Sequence, residues 1–200
     1  MKLISLRTEI LSIIFSSIFS LAGHAQSLTI QACTSCHGAS GQGFTSAPRL
    51  AGQRRQYIEN QLVNFKNHTR DNPNSKQFMW GIASNLNPQM TRDLAIYFST
   101  LPPKAANDGD KKFVASGRKI FQDGVPNSNI VACAACHGPN AEGIAEIPRL
   151  GGLSYAYLKQ RLAQWSEGYH PTTKAPMPKI SGGLSQNQIE ALVSYLSFVK

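Results

Sequence analysis

The chain has 200 residues and a formal net charge of +9 at pH 7, from 20 Lys and Arg residues and 11 Asp and Glu residues. Seven basic and three acidic residues lie in 26–101, and eleven and seven lie in 102–200, so each half carries +4. Nucleic-acid-binding proteins concentrate their charge in one patch, so this even spread excludes nucleic acid as the partner. It favours docking to acidic protein surfaces or to an anionic membrane face, with solubility alone as the alternative.

The first predicted element is a secretory signal peptide over residues 1–25. A basic start precedes the uncharged stretch 10–21, and small residues lead to a cleavage site after Ala25. An uncleaved membrane anchor is the alternative, but this stretch is shorter than the roughly 20 apolar residues that a spanning helix requires. We therefore expect a periplasmic protein that begins at Gln26.

Each half of the remaining chain contains one CxxCH motif. The motifs consist of Cys33, Cys36 and His37 in the first half and of Cys133, Cys136 and His137 in the second. CxxCH is the attachment signature of c-type haem, in which two thiols bond to the porphyrin and the histidine binds the iron. Zinc uses similar residues, but it would need further ligands in one shared cluster. The sequence therefore predicts two covalently bound haem c groups.

The two motifs belong to a repeat with an offset of 100 residues. The matching residues include Gly43 and Gly143, 48–50 and 148–150, Gly52 and Gly152, and Tyr57 and Tyr157. Two copies of one domain explain this repeat, so we predict domains over 26–101 and 111–200. The segment 102–110 between them is rich in proline and small residues, as linkers are. Each domain is small, and a haem supplies apolar mass that a short chain lacks.

The pattern of apolar residues predicts an all-α fold, because helical spacing is common and alternating β-type runs are few. Helices are expected over 53–66, 87–100, 111–121 and 153–167 and from Ser185 onward. Asn87 is a cap with proline after it, and Ser185 with Gln188 indicates a capping box. The inner face of the last helix is predicted to consist of Ile189, Leu192, Val193 and Leu196. Only 26–32 precedes the first motif, so the first helix should be very short.

The sixth iron ligands are predicted to be Met79 and Met177. They follow their motif histidines by 42 and 40 residues, and both stand in an M-x-x-I context before the last helix of their half. Methionine is often a core residue, but the repeat has kept this one in both copies. Met90 is the alternative in the first half. His68 and His170 have no repeated context, and we expect them to be exposed rather than ligands.

The surroundings of each haem are also predicted from the repeat. A metal-bound histidine usually donates its second ring N–H to a carbonyl or carboxylate. The carbonyls of Pro48 and Pro148 are the candidates, because each proline follows its histidine by eleven residues. Arg49 and Arg149 are predicted to pair with haem propionates, since guanidinium groups match carboxylate geometry. The alternative is that both are ordinary surface arginines.

The motifs CxxCHG, P-R-L-x-G, Y-x(4)-L-x-x-F/W and M-x-x-I-x-x-x-L each occur twice. In this order they resemble the dihaem cytochrome c4 family over nearly the whole chain after residue 25. The resemblance implies two class I cytochrome c folds in tandem, with their haems facing each other across the domain interface. It also implies a periplasmic carrier that feeds a terminal oxidase or a similar acceptor. Carried over by position, the axial ligands are His37, Met79, His137 and Met177.

Histidine and methionine together fill both axial positions, which is typical of an electron carrier rather than an enzyme. A free one-electron shuttle between redox proteins is therefore the predicted function. The alternative is a fixed electron-transfer subunit of a dehydrogenase complex, since the short lead before Cys33 resembles the dihaem subunit of flavocytochrome c sulfide dehydrogenase. A dihaem enzyme that oxidises thiosulfate or reduces peroxide is a third hypothesis, but a cysteine ligand would need a fifth cysteine, and the sequence has four.

Overall fold

The computed structural model describes residues 29–44, 47–169 and 175–200. The predicted signal peptide at 1–25 and His170 lie outside the described residues. Within the described ranges the regular structure is helical, and extended pairing is limited to two isolated β-bridges. The all-α fold is therefore confirmed for this part of the chain, where no helix is long and apolar enough to cross a membrane.

The described part of the first half contains four α-helices. In chain order they are α1, described over 29–37, α2 (Arg55–Lys66), α3 (Trp80–Ser84) and α4 (Pro88–Thr100). A π-helical turn, Ser75–Met79, leads directly into α3. The predictions for 53–66 and 87–100 correspond to α2 and α4. The first of them began two residues early, because the backbone of Arg54 is still extended.

The described part of the second half contains five α-helices. They are α5 (Val114–Asp123), α6 (Ala134–His137), α7 (Tyr155–Ser166), α8 (Met177–Gly182) and α9 (Gln186–Phe198). Short 3-10 turns lie at Lys111–Phe113 and Pro126–Ser128. The helix predicted over 111–121 is therefore a 3-10 turn followed by α5, and the helix predicted over 153–167 is α7 with narrower bounds.

Capping residues begin α4 and α9 as predicted. The Asn87 side chain accepts a hydrogen bond from Met90 N–H at 2.9 Å. At α9, Ser185 Oγ accepts from Gln188 N–H at 3.3 Å, and Gln188 Oε1 accepts from Ser185 N–H at 2.8 Å. These bonds satisfy N–H groups that have no partner within the helix. The predicted inner face of α9 is buried at Ile189, Leu192, Val193 and Leu196.

The segment before each CxxCH motif differs between the halves. In the first half, α1 runs without a break from residue 29 to His37, so the short helix expected before Cys33 is continuous with the motif. In the second half a loop separates α5 from α6. Gly124 begins this loop with φ +74°, and a Cβ there would lie 2.2 Å from Ile130 O, so glycine is required.

The core of the second half is centred on α9, which packs against α5 and α7. Phe121 and Val193 are fully buried there. Gly117 allows α5 to approach α9, since a Cβ at this position would lie 2.0 Å from Ala191 O. The core of the first half has fewer buried apolar residues, namely Ile58, Leu86, Leu94, Ala95 and Phe98. Cores of this size suit domains that gain further apolar contact from a bound prosthetic group.

The predicted linker 102–110 is hydrogen-bonded to both halves. Gln42 of the first half donates from Nε2 to a linker carbonyl at 2.9 Å and accepts Lys104 N–H at Oε1 at 3.0 Å. Towards the second half, Ala106 N–H donates to Gly152 O at 3.1 Å. Most linker side chains are exposed, but the backbone is held in place.

Candidate functional site

Both motif histidines are buried, and a proline carbonyl holds each of them. His37 Nδ1 donates to Pro48 O at 2.7 Å, and His137 Nδ1 donates to Pro148 O at 2.9 Å. A carbonyl oxygen can only accept, so Nδ1 carries the proton and Nε2 keeps its lone pair for a metal. Burial lowers the pKa of both imidazoles, which favours their neutral form. The predicted role of the two proline carbonyls is confirmed.

The loop after each motif is built twice with the same hydrogen bonds. Gly43 N–H donates to His37 O at 2.7 Å, and Gly143 N–H donates to His137 O at 2.8 Å. Gly43 has φ +80°, and a Cβ there would lie 2.6 Å from Arg49 N. Glycine is therefore the residue that lets the chain turn back beside each histidine and bring a proline carbonyl to it.

Each CxxCH motif places one thiol near the core and the other at the surface. Cys33 and Cys133 are half-buried and pack against the apolar clusters of their halves, whereas Cys36 and Cys136 are exposed. Burial raises the pKa of the Cys33 and Cys133 thiols to about 11, so each is a neutral thiol before a haem is attached to it. All four cysteines are free of disulfides.

The methionines considered as iron ligands lie on different elements. Met79 ends the π-helical turn and Met177 begins α8, and both are half-buried. Met177 and Met90 each touch the apolar cluster of their half, so core contact alone does not separate a ligand from a core residue. The π-helical turn supports Met79, because such turns concentrate at functional sites. His68 is exposed, as expected, and its ring stacks on Trp80 with centroids 3.9 Å apart.

Arg49 and Arg149, predicted to pair with haem propionates, lie where the two halves meet. Arg49 is 5% exposed, and its Nη atoms donate to the carbonyls of Gly151, Gly152 and Lys104. Arg149 is half-buried and donates from Nε to Gly151 O at 3.3 Å. Burial lowers the pKa of Arg49 to about 10, and the charge of Arg149 adds to the shift. Arg49 is therefore not a surface arginine, while its pairing with a propionate stays a prediction.

A third arginine at this interface was not predicted. Arg70 is 9% exposed and donates from Nη1 to Gln61 Oε1 at 2.7 Å and from Nη2 to Tyr157 OH at 3.4 Å. Burial raises the pKa of the neighbouring Tyr57, and Tyr157 adds to the shift. Tyr57 and Tyr157 recur at the offset of 100 residues, and this repeated pair was the sequence signal that could have pointed to the interface. Arg70 has no arginine counterpart in the repeat, with His170 at the matching position.

The two buried guanidinium groups of the first half fit the carboxylates of a haem. The Nε atoms of Arg49 and Arg70 are buried and have no hydrogen-bond partner among the described residues. Neither arginine is among the ion pairs found in the described ranges. A buried cation is costly unless an anion or a full set of hydrogen bonds compensates it. Haem propionates are anions that would do so.

The repeated haem-binding geometry agrees with comparisons to known proteins. A family model for cytochrome c matches residues 23–102 and 114–200. The chain belongs to the cytochrome c family. Cytochrome c-552 of Acidithiobacillus ferridurans is 33% identical over 199 residues, which cover 92% of this chain and 86% of the relative. The thiosulfate dehydrogenase electron acceptor of Thiomonas intermedia is 38% identical over 141 residues, covering 68% and 63%.

A solved structure extends the agreement to the fold. The cytochrome c4 of Acidithiobacillus ferrooxidans superposes with a TM-score of 0.78 at 34% identity, covering 84% of this chain and 98% of that one. The resemblance to the dihaem cytochrome c4 family is therefore confirmed. The chain consists of two cytochrome c domains, binds two haem c groups covalently, and is an electron carrier of the cytochrome c4 type rather than an enzyme. It acts with redox partner proteins.

Proposed function

We propose that this cytochrome works in the periplasm, after removal of residues 1–25, as a one-electron carrier with two haems that each have a histidine and a methionine ligand. The first haem is attached to Cys33 and Cys36 with axial ligands His37 and Met79, and the second to Cys133 and Cys136 with axial ligands His137 and Met177. The proposed domains are 26–101 and 111–200, joined by the linker 102–110.

The observation that carries the ligand assignment is the pair of buried histidines with Nδ1 bound to a proline carbonyl. This hydrogen bond fixes the tautomer and aims Nε2 of His37 and His137 away from the supporting loop. Bound haem supplies a reversible one-electron iron couple, and a methionine thioether raises its potential. The protein's part would be to hold the histidine and the methionine of each domain in place for the iron in both of its oxidation states.

Three arginines are proposed to bind the haem propionates, namely Arg49 and Arg149 from the repeated P-R-L segment and Arg70 from the interface. Arg49 and Arg70 each retain one buried Nε–H that no described residue accepts. A propionate oxygen at either atom would complete the hydrogen bonding of the guanidinium group. Because these arginines contact both domains, the same side chains would tie the haems to the interface.

The proposed partners are redox proteins with acidic docking surfaces. Without residues 1–25 the net charge is +8, with +4 in each half, and this charge favours fast encounter with such surfaces. The donor or acceptor is a terminal oxidase, a dehydrogenase or a similar protein. The relative named as an electron acceptor of thiosulfate dehydrogenase supports the alternative that this cytochrome is tied to a dehydrogenase, as in flavocytochrome c sulfide dehydrogenase. A shuttle predicts that the reduction rate falls steeply with ionic strength, whereas a fixed subunit predicts a salt-insensitive rate within a stable complex.

The ligand assignment is tested by comparing Met79→Ala with Met90→Ala in the exported holoprotein. We expect Met79→Ala to remove half of the weak near-infrared band that reports methionine bound to ferric iron and to make one haem reactive with carbon monoxide. Met90→Ala is the matched control, since Met90 is a half-buried methionine of the same domain, and it should keep the full band. The reverse result would assign Met90 as the ligand. If a haem of the wild-type protein already binds carbon monoxide, one axial position is open, and this would contradict the proposal of an electron carrier with two axial ligands at each haem.

A further inference from the structure

We propose that Gln53, a residue of the first domain, is a positioning residue for the second haem. It hydrogen-bonds the peptide group whose carbonyl holds His137. The inference rests on the proposed role of His137 as an axial ligand. In this proposal, one side chain of the first domain changes the reduction potential of the second haem.

The Gln53 side chain is 6% exposed and lies between the two domains. Its Oε1 accepts Arg149 N–H at 2.8 Å, and its Nε2 donates to Arg149 O at 3.0 Å. Oε1 also accepts Arg54 N–H at 2.8 Å, which fixes the amide orientation. The oxygen and the nitrogen of the amide therefore both hydrogen-bond the backbone of Arg149 in the other domain.

The N–H of Arg149 and the carbonyl of Pro148 belong to the same planar peptide group. The Pro148 carbonyl accepts the Nδ1–H of His137 at 2.9 Å. A continuous chain thus runs from Gln53 Oε1 through this peptide group to the His137 ring. Hydrogen bonds in such a chain polarise one another, so the bond at Arg149 N–H makes the Pro148 oxygen a better acceptor.

The arrangement is one-sided. The repeat places Leu153 at the position that corresponds to Gln53. Leu153 is buried in the core of the second domain and has no polar side-chain atom that could reach the Pro48–Arg49 peptide group of the first domain. Among the described residues, His137 is therefore the axial histidine whose supporting carbonyl is connected to a glutamine of the opposite domain, and His37 has no such connection.

The sign of the effect follows from the chemistry of the imidazole. A stronger acceptor at Nδ1–H increases the basicity of the ligating ring, and a more basic ligand stabilises ferric iron. Gln53 is thus expected to lower the reduction potential of the second haem. Its removal should raise that potential and weaken the protection of the His137 Nδ1 proton, while the first haem and His37 stay unchanged.

The test uses Gln53→Leu, which places the residue of the second domain at this position, and Gln53→Glu, which keeps an acceptor oxygen and makes it charged. The matched control is Gln42→Leu. Gln42 also spans a backbone with its amide, donating to Pro102 O at 2.9 Å and accepting Lys104 N–H at 3.0 Å, but it contacts the linker instead of a histidine support.

The measurements on the holoprotein are a redox titration that resolves both haems and the exchange rate of each axial Nδ1 proton in ferrous protein with ¹⁵N-labelled histidine. For Gln53→Leu we expect the second haem to favour the ferrous state about threefold more, or about 28 mV for one electron, with about threefold faster exchange at His137. Gln53→Glu should shift the second potential in the opposite direction, because a charged acceptor binds N–H more strongly.

Equal shifts at both haems, or an unchanged second haem in folded Gln53→Leu, would overturn the proposal. So would the same response from Gln42→Leu. If Gln53→Leu does not fold, Gln53→Met decides by the same two measurements, because methionine keeps the length of the side chain without its amide. The two proposals fail in different ways. If the ligand assignment is wrong, the wild-type protein lacks the signals of an iron-bound His137. If only the role of Gln53 is wrong, those signals are present and do not change in the Gln53 variants.

Discussion

The contact between α5 and α9 predicts that Gly117→Ala destabilises the second domain. A Cβ at residue 117 would lie 2.0 Å from Ala191 O and 2.6 Å from both the Ala191 carbonyl carbon and Tyr195 Cβ. Two of these atoms belong to the backbone of α9, so no side-chain rotation can relieve the clash. The two helices would have to separate.

The size of the effect follows from the distances. Ordinary contact with a Cβ begins at 3.4 Å, so the new methyl group and Ala191 O must move apart by a further 1.4 Å. Overpacking of this kind costs about 1–3 kcal/mol. The helical preference of alanine over glycine, about 1 kcal/mol, offsets part of that cost. Because backbone atoms of α9 must move, the cost lies at the upper end of that range, and we expect a net loss of about 2 kcal/mol in the free energy of unfolding.

Gly81→Ala is the control, because Gly81 lies inside α3 and a Cβ there meets nothing within 4 Å. This variant should gain up to about 1 kcal/mol. Denaturant unfolding of both holoproteins, followed by helical circular dichroism and by haem absorbance, measures the difference. If Gly117→Ala proved as stable as Gly81→Ala, the close packing of α5 on α9 would be wrong.

Two further outcomes follow from the site and the caps. Burial lowers the pKa of the His37 and His137 imidazoles, and iron bound at Nε2 would exclude a proton from them altogether. An imidazole released on unfolding takes up a proton below about pH 6.5, so the unfolded chain binds protons that the folded chain excludes. Stability from this source is complete above pH 6.5 and is lost as the pH falls below it, so the denaturant midpoint should drop from pH 7.5 to pH 5, and a constant midpoint would contradict the burial. Ser185→Ala removes one arm of the α9 capping box and should cost about 1 kcal/mol in the same unfolding assay. If the free energy of unfolding fell by less than a few tenths of a kcal/mol, the hydrogen bond from Ser185 N–H to Gln188 would be sufficient to cap α9.

The features predicted correctly from the sequence are those encoded in neighbouring residues or in the repeat. The caps at Asn87 and Ser185 depend on residues within one helical turn, so their local signal is complete. The carbonyls of Pro48 and Pro148 were predicted because each stands at the same distance from its histidine, and the two copies of the loop confirm one another.

The features missed are those that arise when the two copies meet. Gln53 and Arg70 hydrogen-bond residues about 90 positions away, and no local pattern distinguishes them from surface side chains. The partners of Arg49 depend equally on how the domains dock. The π-helical turn Ser75–Met79 was missed for another reason. A π-helical turn differs from an α-helical turn by one additional residue, and its amino-acid composition does not distinguish the two.

The hydrogen bonds along 102–110 affect how the protein resists proteolysis. The segment 102–110 is exposed and rich in proline and small residues, like the segments at which proteases separate tandem domains. A protease must draw several residues of extended chain into its cleft, and here this would break the bonds of Gln42 with the linker and of Ala106 with Gly152. Cleavage must therefore wait for local opening. The hydrogen bonds of the linker therefore predict slow proteolysis between the two haem domains of the folded cytochrome.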